Sequence, residues 1–370
     1  EELEENPSWV RYRDDDGQTP LHIAAGKGDL KLSNFLIRKG ATVNAEDNYM
    51  RTPLHYATMT NSTALVRAML TNGASTSIED EDGQPPLFYA QPNTEIHWLL
   101  LHGTATEARD TKGRTALCEF ARLGATSVVR GLLSRGANVE AMGPNNWTAL
   151  HEAADAGHAE ICAALVEAGA PTGALSTHQD TPLFFAARGG SVACVELLVS
   201  RGVDINRAQL NDITPIGEAV SRQHADVVEY LIERGADAQR GSAFHPLLFA
   251  AGNGNKRILL LLLDKACVNI NQRSWQSKTA LIEAVQFQKF EMVKILLDHG
   301  ADPRMREDFS RTAFFWAVMK NDRPIAELLL ARDGGVLNMR DKEGVSPRGY
   351  AMNNGLKEMA TWLEEMDAAV

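Results

Sequence analysis

The chain has 370 residues, 44% of them apolar but only 6% aromatic, so its core has to be built from aliphatic side chains. Its formal net charge of −11 excludes nucleic acid and anionic membranes as default partners, yet is too small to keep the chain unfolded. The longest apolar run, Ile258 to Leu263, falls well short of the roughly 20 residues that span a bilayer.

Four cysteines, Cys118, Cys162, Cys194 and Cys267, are scattered without a CxxC pair. They read as reduced, buried thiols of a cytoplasmic protein, with the nucleus as the alternative compartment. The sequons at Asn61 and Asn146 are then accidental, since no secretion signal accompanies them. The sequence opens on Glu1 rather than Met, and the expectation is a piece of a longer chain.

Residues 1–13, "EELEENPSWVRYR", place Val10 and Leu3 where Val43 and Leu36 fall one unit later. They read as the tail of a preceding repeat, or else as an N-terminal cap. From residue 14 onward the chain repeats itself. A motif that begins "TPLHIAA" at Thr19 returns at Thr52, Pro85, Thr115, Thr148, Thr181, Thr214, His245, Thr279, Thr312 and Ser346, at intervals of 30 to 34 residues. A second landmark, a leucine-rich stretch running into Gly-Ala, ends at Ala41, Ala74, Ala137, Ala236 and Ala301. The repeats run 14–46, 47–79, 80–109, 110–142, 143–175, 176–208, 209–239, 240–273, 274–306, 307–340 and 341–370.

One unit explains the spacing. Thr19 is an N-cap whose hydroxyl can accept a free N–H of the first turn. Pro20 suits the first helical position. Leu21, Ala24 and Ala25 form a narrow apolar face that lets a neighbour approach closely, and Gly28 closes the short helix. A second helix follows, with Leu32, Phe35, Leu36 and Ile37 as its apolar side, and Gly40 ends it. Neither helix can bury its face alone, so the units must stack.

Three units depart from this pattern. The third is short between its helices, with Pro92 in "YAQPNTEIHW" expected in a tightened turn. The eighth has His245 for the cap Thr and Cys267-Val268 for Gly-Ala. These two are where a change of curvature is expected. The last has Leu363-Glu364 where others have Leu-Leu, a polar face expected of a C-terminal capping repeat that ends the array.

The TPLHxAA motif, its echoes in the other copies and the LLxxGA runs resemble the ankyrin repeat family, over essentially the whole chain. That resemblance implies an all-α solenoid of stacked helix-turn-helix units with projecting β-hairpin or turn tips. Units at helix spacings of about 8–10 Å make a body on the order of 100 Å long. The resemblance also implies partner binding on the concave face, formed by the tips and the first helices. It implies as well that Asn44, Asn206, Asn271 and Asn338, each eight residues after a leucine, resemble substrates of an asparaginyl hydroxylase. Bracing of the turn is the simpler role for these side chains.

Chemistry has little support. "HEAADAGH" from His151 fails the H-E-x-x-H zinc spacing because Asp155 stands where the second His belongs. His151 is also the repeat's own histidine, matching His22 and His55. No phosphate loop or G-x-S-x-G turn occurs. The expectation is a non-enzyme with no cofactor, metal site or catalytic residue.

Residues spared from folding mark the binding face. In the first three units these are Asp15, Asp16, Tyr49, Glu81 and Asp82, an acidic end. The middle offers Arg114, Trp147 and His178, then Leu210, Arg222 and Phe244. The last units offer Trp275, Phe287, Phe309, Arg311 and Lys320. Trp147, Phe244, Trp275, Phe287 and Phe309 are expected hot spots, because a tip has no core to fill. Trp98, Trp316 and Trp362 lie in helical runs and read as core. The function expected is non-catalytic scaffolding, by a monomer, of a protein with a basic segment followed by an apolar one. The alternative is the sensor or regulatory region of a larger signalling or nucleotide-binding receptor-like protein, acting intramolecularly.

Overall fold

In the computed structural model, which describes residues 7–91, 94–101, 106–107, 109–110, 112–240, 245–274 and 276–369, the repeated motif closes its first helical turn in one of two ways, except at Pro85 and His245, which make no side-chain cap bond. Where the motif carries histidine, the ring does the capping. The Thr19 N–H donates to His22 Nδ1 at 3.0 Å, Thr52 to His55 at 2.9 Å and Thr148 to His151 at 3.1 Å. An accepting Nδ1 leaves the proton on Nε2. From there His22 donates to the Arg51 carbonyl at 2.9 Å and His55 to the Gln84 carbonyl at 3.1 Å, each in the following repeat. Where histidine is missing, the hydroxyl caps instead: Thr115, Thr181 and Thr312 accept from Cys118, Phe184 and Phe315 at 3.2 to 3.3 Å.

The chain divides into two compact units, Glu1–Thr177 and His178–Val370. The first unit holds α1 (Pro20–Gly26), α2 (Leu30–Arg38), α3 (Pro53–Met59), α4 (Thr63–Thr71), α5 (Glu95–Leu101), α6 (Ala116–Leu123), α7 (Thr126–Ser134), α8 (Ala149–Asp155) and α9 (Ala159–Glu167). The second holds α10 (Pro182–Gly189), α11 (Val192–Ser200), α12 (Pro215–Ser221), α13 (Ala225–Glu233), α14 (Pro246–Asn253), α15 (Lys256–Leu260), α16 (Ala280–Gln286), α17 (Phe290–Asp298), α18 (Ala313–Met319), α19 (Arg323–Arg332), α20 (Pro347–Asn353) and α21 (Lys357–Ala369). In each unit the first helix of a repeat packs on the first helix of the next, as α1 on α3 and α14 on α16, and on its own second helix. Among the described residues no strand forms, and the tips are turns with isolated antiparallel bridges at Arg109–Thr115 and Arg306–Thr312.

The packing follows the alanine stripe. Leu21, Ala24 and Ala25 are fully buried, as are Leu150, Ala153 and Ala154, and Leu183, Ala186 and Ala187. Each buried leucine contributes about 1.5–3 kcal/mol, while the alanines set how closely the first helices approach. Cys118, Cys162 and Cys194 are buried as expected, but Cys267 is exposed.

Cys267 marks the irregular eighth repeat. In a regular unit the second helix runs nine residues and the chain then enters the left-handed region at glycine, as at Gly235 with φ +84°. The Ala236 N–H then donates to the Leu231 carbonyl. The eighth repeat has one residue more before this point. Helix α15 absorbs it by widening into a π turn, Leu261–Lys265, and Cys267 takes the left-handed position at φ +50°. Val268 N–H reaches one residue further back, to the Leu262 carbonyl at 3.5 Å. In the third repeat the first helix is reduced to a 3₁₀ turn, Pro86–Tyr89, while Pro92 itself lies outside the described residues.

Candidate functional site

At six tips one carboxylate five residues before the cap, Asp14, Asp47, Asp80, Asp110, Glu307 or Asp341, knots the turn by accepting a main-chain N–H four residues on. Asp47 Oδ1 accepts the Tyr49 and Arg51 N–H groups at 2.9 Å each, and Asp80 Oδ1 those of Asp82 and Gln84 at 3.0 and 2.9 Å. Glu307 does the same for Phe309 and Arg311. The carboxylates are buried, Asp47 at 6% and Asp80 at 3% exposure, and the Tyr56 and Tyr89 hydroxyls donate to their second oxygens. The residues between carboxylate and cap are left to project. Successive tips are also linked through the main chain. Asn48 N–H donates to the Asp16 carbonyl and Glu81 N–H to Tyr49 in the first unit, and Leu210 N–H to His178 and Lys342 N–H to Phe309 in the second. Each unit therefore has a hydrogen-bonded edge from which side chains stand out at repeat spacing.

On the first unit's edge, Asp15, Asp16, Tyr49, Glu81 and Asp82 are exposed. Two other expected binding residues there are not free to project. The Arg114 guanidinium is clamped between Asp110 at 2.8 Å and Glu119 at 2.6 Å, leaving its side chain 18% exposed. It braces its turn. Trp147 follows a 3₁₀ turn, Pro144–Asn146, and its side chain is half-buried. Below this edge Glu119 also pairs with Arg122 at 2.6 Å, and Glu152 of α8 is buried at 8% exposure. Burial pushes its carboxyl up to about 7, with Arg122 and Arg114 pulling against that and Glu119 and Asp155 adding to it.

On the second unit's edge, His178 is exposed and Leu210 and Phe309 are 58% and 53% exposed, and Phe287, at the end of the first helix α16, is 54% exposed. Arg222 pairs with Glu218 at 2.9 Å but keeps most of its side chain in solvent, and Lys320 is exposed. Arg311 does not project as expected. Its guanidinium lies over the Phe309 and Phe315 rings at 5.2 and 5.7 Å and 3.8 Å from Asp341. Phe244 and Trp275 lie outside the described residues, as does the side chain of Trp98. Trp362 is buried, but Trp316, expected in the core, is only half-buried and lines a surface cavity. Three of the four hairpin asparagines brace turns: Asn44, Asn206 and Asn271 accept from Ser75, Asp237 and Asp302 N–H at 2.8 to 2.9 Å, one repeat on, while Asn338 Nδ2 donates to Asp367 Oδ1 of α21 at 2.7 Å. Among the described residues no cluster of histidine, cysteine and carboxylates could hold a metal ion, and no helix is long and apolar enough to cross a membrane.

Comparison with known proteins fits this geometry. The family model for "Ankyrin repeats (3 copies)" matches residues 3–80, 27–109, 87–174, 171–242 and 239–307, and the chain belongs to the ankyrin repeat family. It is 38% identical over 125 residues, 34% of its length, to the "Probable 26S proteasome regulatory subunit p28" of Saccharomyces cerevisiae. It is 36% identical over 89 residues, 24% of its length, to mouse "Ankyrin repeat and SAM domain-containing protein 6". These matches span 55% and 10% of the two relatives' own lengths. The crystal structure of the human ASB11 ankyrin repeat domain aligns with a TM-score of 0.54 at 29% identity, over 60% of this chain and 99% of that one.

Proposed function

We propose that the chain is a non-catalytic recognition module, a cytoplasmic monomer, that holds a protein partner on the tips and first helices of its repeats. Ankyrin repeats generally mediate protein–protein interactions, which is the coarse support. The observation that carries the finer reading is the set of large apolar side chains on the second unit, Leu210 and Phe309 on tips and Phe287 at the end of the first helix α16, each more than half exposed. The Phe309 tip is held by its own carboxylate, Glu307, and needs no such side chain for folding, and exposed aromatics are what interface hot spots are made of. The first unit's tips carry Asp15, Asp16, Glu81 and Asp82 instead, which suits a basic segment of the partner.

Affinity capture from the source organism's lysate tests this, with the intact chain beside a Leu210→Ser/Phe287→Ser/Phe309→Ser variant of equal helicity. A protein held by the first and lost from the second supports the reading, and identical captures refute it. A second reading, in which the partner is another part of the same polypeptide, is favoured by relatives such as the mouse protein, whose name couples the repeats to a SAM domain. Expression of the full gene product would separate the two, since an internal partner leaves the triple variant with altered protease protection but unaltered capture.

A further inference from the structure

Two adjoining cavities lie on the second unit between its eighth and tenth repeats. The larger, about 680 Å³, is walled by Leu248, Phe249 and Phe287, with His245, Glu283 and Lys289 among its polar members. The smaller, about 360 Å³, includes Phe309, Arg311 and Trp316. Gln276 and Lys278 line both, so the two form one groove across the eighth to tenth repeats.

The groove collects the second unit's buried polar atoms that lack a hydrogen bond. Among its described residues, the buried side-chain nitrogens and oxygens without a hydrogen-bond partner are both ring nitrogens of His245, Glu283 Oε2, Arg311 Nε and Trp316 Nε1. All of them belong to groove-lining residues. Buried polar groups in native proteins are nearly always satisfied, and each exception needs a reason. His245 is the sharpest case. It occupies a helix N-cap, is 2% exposed and makes no side-chain cap bond, although threonine there would stabilise the helix by about 1 kcal/mol. Burial holds its imidazole neutral, so one ring nitrogen can donate and the other accept. With Trp316 Nε1 to donate, and with Glu283 Oε2 and Arg311 Nε held only in long ion pairs, to Lys278 at 3.6 Å and Asp341 at 3.8 Å, the groove matches a ligand offering alternating donors and acceptors. A peptide main chain does so.

Charge and spacing narrow the occupant further. Lys278 lies 3.6 Å from Glu283, which leaves the Lys289 charge in excess around the larger cavity. Neighbouring repeats are about 10 Å apart, and an extended chain in the polyproline II conformation rises about 3.1 Å per residue with three residues per turn, so side chains three residues apart lie on one side and reach the two cavities. We propose that this groove binds an extended segment of a partner protein that places an aromatic side chain between Phe249 and Phe287, a second apolar side chain three residues away against Trp316, and a carboxylate beside the aromatic on Lys289. This rests on the protein-recognition reading above and names the chemistry of the segment recognised.

The test is selection from a phage-displayed library of random dodecapeptides on the intact chain. Binding of the best peptides would then be measured by fluorescence polarisation to Phe287→Ala, Lys289→Glu, Trp316→Phe and, as an outer-face control, Phe290→Ala. Thermal melting confirms that each is folded. The expected result is enrichment of an aromatic with Asp or Glu within two positions. Affinity should fall about tenfold in Phe287→Ala and Lys289→Glu, less in Trp316→Phe and not at all in Phe290→Ala. Exchanging the peptide carboxylate for lysine should restore binding to Lys289→Glu. Enriched peptides that are basic, or that bind every variant alike, overturn the groove proposal and leave protein recognition standing. The absence of any enriched peptide overturns it too, while lysate capture decides separately whether the wider reading survives.

Discussion

At the residue scale, two kinds of buried titratable group pull stability in opposite directions with pH. His22 and His55 are held neutral by burial, with Nδ1 taking a cap N–H and Nε2 donating to the next repeat. Their native values lie below the ordinary 6.5, so the unfolded chain takes up protons first as the pH falls. The stability they contribute is complete above 6.5 and is lost below it, at up to about 1.4 kcal/mol per pH unit for each ring. Chemical denaturation of His22→Asn/His55→Asn should show a less stable protein at pH 7 that loses less than the parent between pH 7 and pH 5. Glu152 behaves in the reverse sense. Its native value, about 7, lies above the ordinary 4.5, so the native state is favoured at low pH and that advantage disappears as the pH rises from 4.5 through 7. Glu152→Gln should therefore stabilise the protein at pH 8 and approach neutrality at pH 4.5. A gain that did not depend on pH would show that the carboxyl is not held back from ionising. Neither effect could be read from the sequence. TPLH announced the caps, but only the packed repeats show that the histidine reaches a carbonyl 29 residues away or that Glu152 faces inward.

At the element scale, the repeat frame, the cap positions and the eighth unit's irregularity were legible, because helix caps and terminal glycines act locally. The means of accommodation was not. Counting residues shows one too many in the eighth repeat, but whether a loop or a helix takes it up depends on packing. Here α15 widens into a π turn, and a non-glycine residue, Cys267, is carried into the left-handed region. Cys267→Gly should raise stability by about 1 kcal/mol, since glycine meets no Cβ penalty there. Urea midpoints of parent and variant would check this, and a loss of stability would mean that the thiol makes an interaction beyond its backbone role. The tips teach a related lesson. Arg114 and Arg311 sit at projecting positions in the sequence, yet buried carboxylates of the tip knots, Asp110 and Asp341, draw both guanidinium groups inward. The aspartate five residues before the cap was the available signal for this. It is present in "DNYMRT", "DEDGQP" and "DKEGVS".

At the scale of the whole molecule, two surfaces of different chemistry are presented on one chain, acidic tips in the first unit and, in the second, apolar side chains on tips and first-helix ends. The family, and with it the all-α stack, was plain from the sequence, since repeated copies in register reinforce one another. Which spared residues stand in solvent was only partly plain, because exposure is decided by neighbours one repeat away. If the acidic tips steer a basic segment, Asp15→Lys/Asp16→Lys/Glu81→Lys/Asp82→Lys should slow association with a captured partner and flatten its salt dependence while changing dissociation little. Unchanged association rates in stopped-flow or surface binding would remove the electrostatic half of the account. The central claim, that recognition uses tips and first helices, is tested most directly by hydrogen–deuterium exchange of the chain with and without its captured partner. The account predicts slowed exchange at the tips and first helices, such as residues 207–213 and 307–311 and helices α14, α16 and α18, with the second helices α13, α17 and α19 unchanged. Protection confined to those second helices would place the partner on the opposite face and contradict it.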